Sequence, residues 1–418
     1  MMKRLRVLVI SHGFPPDMGG ASNRAWNIAR AMQTSGHEVV AIAAYPYYPH
    51  GRVSSRYRGR LFAREHIDGL EVIRVWIPSL ETQGYFKRLL IYAAFTFSYS
   101  IGQLLLMNRR FDIVYYVSPY PLSFFSYPAI VFGKLVGSHV FLDVADLWPE
   151  VILEIGKIRT PLATSLVNVM AKLAGAMSDL TTPITESIRE RLLELGLPSG
   201  KLQVVELAID TDYFRPQPRK MVDERLRGKF VAEYSGIIGP KYDFASLVEA
   251  GKIIATIRPR VLILIRGDGE WLPYVRRISS GADNVLVLDK IESMDRVLDY
   301  LNAADVLLCP MRDLKETSTI VPSKVLEYFS VGKPVVCSGR GETLMVIAEY
   351  TPGIMVAPDD PQALADAIIR LHDDAAFYKT SSENSRRLAL ERYSLGILSH
   401  RIELLARSLN NKSPVLKG

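Results

Sequence analysis

Thr319-Ile320-Val321-Pro322-Ser323-Lys324-Val325-Leu326-Glu327-Tyr328-Phe329-Ser330-Val331-Gly332-Lys333-Pro334-Val335-Val336 reads as a short helix leading into a strand. Pro stands near the first turn, Gly lies past the end, and Pro-Val-Val opens the next extended run. A helix start leaves backbone N–H groups unpaired at the positive end of its dipole, so it attracts anions, and Lys324 adds a full charge there. Three residues on, Glu327 falls on the same helical face, where an acceptor-only carboxylate can take both hydroxyls of a ribose. Ser323, Lys324, Val325 and Glu327 together describe a grip for a nucleoside diphosphate. An ordinary αβ connection carrying a surface Lys and a surface Glu is the competing reading of this segment alone.

Working outward, short Val/Ile/Leu runs alternate with longer helical patterns twice over, which predicts an α/β protein with two parallel sheets covered on both faces. The first set of strands falls at 5–10, 38–43, 71–76, 112–117, 139–143, 179–182 and 202–206. The second falls at 229–235, 260–265, 284–288, 305–309, 334–338 and 353–356. Between them, around 207–228, Asp210-Thr211-Asp212-Tyr213-Phe214-Arg215-Pro216-Gln217-Pro218 breaks both periodicities. A chain of 418 residues exceeds what one core usually supports. The expectation is two Rossmann-like, doubly wound domains facing a central cleft.

Composition is that of a globular protein, 48% apolar and 23% charged. The start, Met1-Met2-Lys3-Arg4, runs straight into the strand-like Leu5-Arg6-Val7-Leu8-Val9-Ile10 without a cleavage-site pattern, which favours the cytosol. Cys309 and Cys337 each end an apolar run, a pattern of packing rather than of a disulfide or metal site. The net charge of +7 is uneven, since residues 1–110 carry fifteen Lys/Arg against six Asp/Glu. Zinc-finger, homeodomain and RNA-recognition signatures are missing, so an anionic membrane surface fits this basic half better than nucleic acid. Residues 89–108 contain no charge and are bracketed by Lys87-Arg88 and Arg109-Arg110. A helix in the bilayer surface, a buried core helix and a true span compete for that segment, in that order.

The first strand opens into Ser11-His12-Gly13-Phe14-Pro15-Pro16-Asp17-Met18-Gly19-Gly20-Ala21-Ser22-Asn23-Arg24. Gly19 and Gly20 before a helix let backbone approach a ligand closely, and Arg24 is expected to point to the same place. The spacing is not that of a dinucleotide fingerprint, and a plain turn competes.

Phe14-Pro15-Pro16 with Gly19-Gly20, Gly36-His37-Glu38-Val39, Asp146-Leu147-Trp148-Pro149-Glu150, the Asp210–Pro216 stretch, Gly267-Asp268-Gly269 and the opening segment resemble, in order, family 4 retaining glycosyltransferases. Within that family the nearest resemblance is to WbuB-like N-acetyl-fucosamine transferases of bacterial surface polysaccharide, including O-antigen, assembly. The resemblance implies a GT-B fold with an acceptor domain at 1–207, joined by a returning helix from 393–418, and a nucleotide-sugar domain at 208–392. It implies a metal-independent hexosyl transfer from a nucleotide-diphospho-sugar, UDP being the nucleotide expected, to a lipid-linked saccharide. Such an enzyme works at the inner face of the membrane and needs no cofactor. The Asp210-Thr211-Asp212 run then corresponds to a linker loop, not a metal-binding Asp-x-Asp.

Residue by residue, the resemblance makes Glu327 the ribose ligand and Lys324 and Lys241 the cations that stabilise the departing diphosphate. Gly236, Arg266 and Gly267 line the donor site, and backbone around Lys290 and Ile291 reads the base. Asp146 holds an acceptor hydroxyl or the transferred sugar, with the capping of its own turn as the alternative. The chain departs from the family pattern in three places. Thr319 stands where a first Glu is frequent, Gly236-Ile237-Ile238-Gly239-Pro240-Lys241 lacks the usual Arg, and Ala145 replaces a frequent His. The rival reading is a GT-B isomerase of the UDP-N-acetylglucosamine 2-epimerase type. A hydrolase using Asp143, Asp146 and Glu150 is a more distant one.

Overall fold

The structure, a computed structural model, describes all residues except 1–3, 18, 48–50, 81–84, 118–123, 146–160, 290–292 and 413–418. The chain divides into two compact units, Met1–Ala208 with Leu395–Gly418, and Ile209–Ser394.

The first unit is a seven-stranded sheet of β1 (Arg6–Ser11), β2 (Glu38–Ala44), β3 (Phe62–Ile67), β4 (Leu70–Val75), β5 (Ile113–Val117), β6 (His139–Val144) and β7 (Leu180–Pro183), ordered β3-β4-β2-β1-β5-β6-β7. All neighbours are parallel except the β3–β4 hairpin. The central strands are continuous apolar runs because both faces are covered; Val7, Leu8, Val9 and Ile10 are all fully buried. On one face, α1 (Gly20–Thr34) packs on β1 and β2 and against the C-terminal helix Leu395–Lys412, whose Leu398, Ile402 and Ala406 are buried. The side-by-side helices α2 (Tyr85–Leu104), α3 (Tyr127–Leu135) and α4 (Pro161–Met177) form another layer, α2 on β2 and β4 and α3 on β5 and β6.

Two readings of this unit are corrected. Strand β3 was not expected, because Phe-Ala-Arg-Glu-His-Ile is half-exposed at the sheet edge and reads as polar; its turn, Asp68-Gly69, has φ of 47° and 79°, the two positive values of a type I′ hairpin. Residues 202–206 form no full strand: Leu202 bridges Thr181, and the N–H groups of Gln203 and Val205 reach the carbonyls of Thr181 and Pro183. The segment at 89–108 divides its faces. Ile91, Phe95 and Tyr99 of α2 are buried while Leu90, Phe97 and Leu104 are exposed, and no described helix is long and apolar enough to cross a membrane.

The second unit is a six-stranded, wholly parallel sheet of β8 (Phe230–Ile237), β9 (Val261–Asp268), β10 (Val285–Asp289), β11 (Val306–Pro310), β12 (Val335–Ser338) and β13 (Gly353–Val356), ordered β10-β9-β8-β11-β12-β13. The chain moves outward from β8 in one direction and from β11 in the other, so the topology switches between them, where α/β sheets open a crevice at their carboxyl ends. Cys309 and Cys337 are register partners on β11 and β12, buried as free thiols.

Arg24 overturns its expected role. Its guanidinium is 2% exposed and donates to both oxygens of Asp143, at 2.8 and 3.1 Å, and to the carbonyls of Val205 and Glu206. The side chain turns back under the sheet because Asp143, itself wholly buried, needs a cation there. Arg24→Met should therefore destabilise the protein by about 3–5 kcal/mol in chemical denaturation, as an uncompensated buried charge does. Adding Asp143→Leu to that variant should recover most of the loss; equal stability of the single and double variants would count against the pair.

Candidate functional site

At the switch point, helix α5 (Ser323–Ser330) begins immediately after Pro322, whose φ of −60° and ψ of 137° turn the chain into it. Its first N–H groups, those of Ser323 and Lys324, precede any carbonyl the helix can offer. Val325 differs from expectation: its N–H bonds the Pro322 carbonyl at 2.9 Å and its side chain is core, leaving two N–H groups rather than three for an anion. The helix is pinned to the end of β8 by Tyr328, whose buried hydroxyl accepts from the Ser235 N–H and donates to the Ser235 carbonyl, both at 3.1 Å.

Lys324 lies along this junction. Its Nζ donates to Tyr234 Oη at 2.6 Å and stands 4.0 Å from the ring centres of both Tyr234 and Tyr242, a cation–π cradle. Two glycines make the approach possible. A Cβ on Gly236, where φ is 144°, would lie 2.6 Å from Lys324 Nζ, and one on Gly267 would lie 1.8 Å from the Gly236 carbonyl oxygen. Tyr234 and Tyr242 were not singled out from the sequence; their only signal was nearness to the Gly236–Lys241 loop.

Burial pushes Lys324 down to about 8, although the negative groups nearby, Glu327 among them, oppose the shift. Burial pushes Glu327 up to about 7, against the pull of Lys324 and Arg266. The Glu327 carboxylate has no hydrogen-bond partner among the described residues. An acceptor without donors, one helical turn from an ammonium, is what a ribose diol would complete.

Arg266 is not the spare positive charge it was expected to be. It is 2% exposed and bound to Glu233 at 2.8 Å, to Ser235 Oγ at 2.8 Å and to the Tyr300 ring at 4.9 Å, so its charge is neutralised beneath the site. Lys241 is exposed, with its carbonyl taken by the Arg312 N–H, and the residue of its loop whose ring meets Lys324 is Tyr242. In the first unit, Gly19 caps α1 with φ of 148° and Gly20 begins it, with open space where a Cβ would stand. Asp146, Lys290 and Ile291 lie outside the described residues. In the linker, Asp210 Oδ1 accepts the N–H groups of Asp212 and Tyr213, the bonding of a turn. No group of three or more His, Cys, Asp or Glu able to hold a metal occurs among the described residues.

Residues 19–208 match the family described as Glycosyl transferase 4-like domain, and residues 236–374 the one described as Glycosyl transferases group 1. The chain is a family 4 glycosyltransferase of GT-B fold. A relative from Escherichia coli K12, WcaI, named for glycosyl transfer in colanic acid biosynthesis, is 23% identical over 87% of this chain and 91% of its own. Among solved structures, the sucrose-phosphate synthase of Thermosynechococcus elongatus superposes with a TM-score of 0.71 at 16% identity, covering 98% of this chain and all of that one. Anabaena HepE, solved with UDP and glucose, superposes with a TM-score of 0.66 at 14% identity over 98% of this chain and all of its own. In this glycosyltransferase, then, the Lys324–Glu327 helix falls within the group 1 region and Arg24 within the 4-like domain.

The close approaches separate glycines that the site needs from one that it does not. Gly267→Ala should abolish the nucleotide-induced rise in melting temperature and lower stability, since backbone must move to admit it. Gly20→Ala should stay within about 0.5 kcal/mol of the parent. Identical melting behaviour of the two variants would contradict this account of the glycines.

Proposed function

We propose that the protein is a retaining, metal-independent glycosyltransferase that moves a hexose from a UDP-sugar to a lipid-linked saccharide at the inner face of a bacterial membrane. The observation that carries this reading is the pairing, on one helix end, of a half-buried ammonium and a carboxylate without a hydrogen-bond donor among the described residues. UDP is the nucleotide expected, because a protein of the same fold is solved with it. The sugar is expected to follow the WbuB-like resemblance.

In the reaction, the bond from the sugar's anomeric carbon to the diphosphate oxygen breaks and a bond to the acceptor oxygen forms on the same face. The acceptor's proton passes to the diphosphate. Charge thus grows on the departing group, where the Ser323 and Lys324 N–H groups and the Lys324 ammonium are already in place. Donors of that kind contribute about 10²-fold each to rate. Glu327 fixes the ribose and through it the distance from nucleotide to helix tip. Mixing the protein with a UDP-sugar, with and without a polyprenyl-linked saccharide, tests the assignment. UDP release only with acceptor, retained anomeric configuration by NMR and full turnover in EDTA are expected; epimerised donor without acceptor, or a strict Mg²⁺ requirement, would overturn it.

The charge states set a pH window. Lys324 is charged below about 8 and Glu327 ionised above about 7, so kcat/KM should be bell-shaped with limbs near those values. A flat profile across that range would contradict the pairing. Both shifts disfavour the charged form, so the stability linked to Glu327 is lost as pH rises through about 7, and that linked to Lys324 as pH falls through about 8. Lys324→Met should accordingly melt no lower than the parent at neutral pH while losing about 10²-fold or more in turnover. Parallel losses of melting temperature and turnover would point to a structural lysine.

A further inference from the structure

In the first unit, the outer surfaces of α2, α3 and α4 are reversed from the usual pattern of apolar inside and polar outside. Helix α4 turns Ala171, Ala174 and Gly175 inward, close enough that a Cβ on Gly175 would lie 2.5 Å from Leu197. It turns Leu162, Leu166, Val169 and Leu173 outward, at spacings of four, three and four residues. Helix α2 carries the exposed stripe Leu90, Phe97 and Leu104 at seven-residue intervals, and α3 adds Val131 and Leu135 between them. These are large exposures, 65% for Phe97 and 70% for Leu135. Of the 22 exposed large hydrophobic side chains among the described residues, 11 lie on these three helices. A patch of this extent marks an interaction surface.

Charge selects the partner. The three helices contain no Asp or Glu, while Lys87, Arg88, Lys134 and Lys172 are exposed on them and the exposed Arg110 follows α2, Arg109 beside it being paired with Glu71. A protein partner of ordinary composition would not require the exclusion of every carboxylate; an anionic lipid surface repels each one and attracts each cation. We infer that the α2–α3–α4 face docks on an anionic lipid surface, with the leucine stripes entering the headgroup boundary and the lysines and arginines meeting the headgroups. The inference uses no property of the nucleotide site. It adds α3 and α4 to the 85–110 segment singled out from the sequence, and it gives the proposed transferase its route to a lipid-linked acceptor.

The test uses the full chain and two vesicle preparations, phosphatidylcholine alone and equal parts of phosphatidylcholine and phosphatidylglycerol. The protein should sediment with the anionic vesicles about tenfold more strongly than with the neutral ones. Phe97→Ser/Leu166→Ser/Leu173→Ser changes only exposed positions and should reduce that sedimentation about tenfold, while keeping the UDP-induced melting shift as its measure of folding. Lys134→Glu/Lys172→Glu should remove the preference for anionic lipid. Failure of the parent to sediment with either preparation, or serine and parent proteins sedimenting alike, overturns the inference. So does a dimer in light scattering that the serine variant dissolves while vesicles are ignored. A parent protein that shows the UDP shift but sediments with neither preparation sinks this inference alone; a parent that binds anionic vesicles without any UDP shift sinks the functional reading alone.

Discussion

A cation kept where protein has displaced much of its water is the constraint on which the second unit's arrangement depends. Two tyrosine faces and one phenol oxygen surround Lys324 Nζ, and they stabilise an ammonium less well than bulk water does, which is why its proton is held weakly. One turn away a carboxylate has no hydrogen-bond donor among the described residues. Folding alone gains nothing from either group, since an apolar side chain of similar size would fill the space without a desolvation cost. In the proposed function, a diphosphate and a diol together satisfy this pair of groups, which oppose folding when empty.

That constraint propagates into the backbone. The ammonium lies where a Cβ on Gly236 would stand 2.6 Å from it, and Gly236 in turn takes its place because Gly267 presents no side chain to its carbonyl. Tyr328 then fixes the distance between β8 and α5 through both polar groups of Ser235. Beneath these, the Arg266–Glu233 pair closes on itself, so the floor adds little net charge and Lys324 carries the positive potential at the helix start. Substituting a further arginine into that floor would not mimic the missing family arginine, because the buried Glu233 would still hold the cation already there.

The strands of both sheets were legible because a strand covered on both faces must be apolar throughout, and Val-Leu-Val-Ile or Val-Leu-Ile-Leu-Ile has few other uses. Lys324 and Glu327 were legible for a related reason: a three-residue spacing on a helix fixes a shared face without any tertiary knowledge. The two arginines were not. Arg24 follows a glycine pair at a helix start, where a guanidinium looks like an anion ligand, but its partner Asp143 lies 119 residues away on another strand. Arg266 is in register with Ser235, and its partner Glu233 sits two residues back on the neighbouring strand, a diagonal contact that only the strand register discloses. Edge strand β3 lacked the apolar run of its neighbours, yet Asp68-Gly69 before an apolar stretch was a usable hairpin signal.

The outer helices show where periodicity alone runs out. An apolar stripe at helical spacing specifies a buried face but not which side of the helix is buried. In α2 both sides are apolar, so Ile91, Phe95 and Tyr99 compete with Leu90, Phe97 and Leu104 for the core, and the sheet takes the first three. In α4 the choice falls the other way from simple hydrophobicity: the smallest side chains go inward, because close approach to Leu197 leaves room for Gly175 and the alanines but not for leucine. The larger apolar groups are then left outside by geometry, and the exclusion of carboxylates from the same surface is a separate property that packing does not require. Two independent departures from an ordinary solvated helix, one in hydrophobicity and one in charge sign, coincide on one face, and an anionic bilayer surface is a solvent that accounts for both.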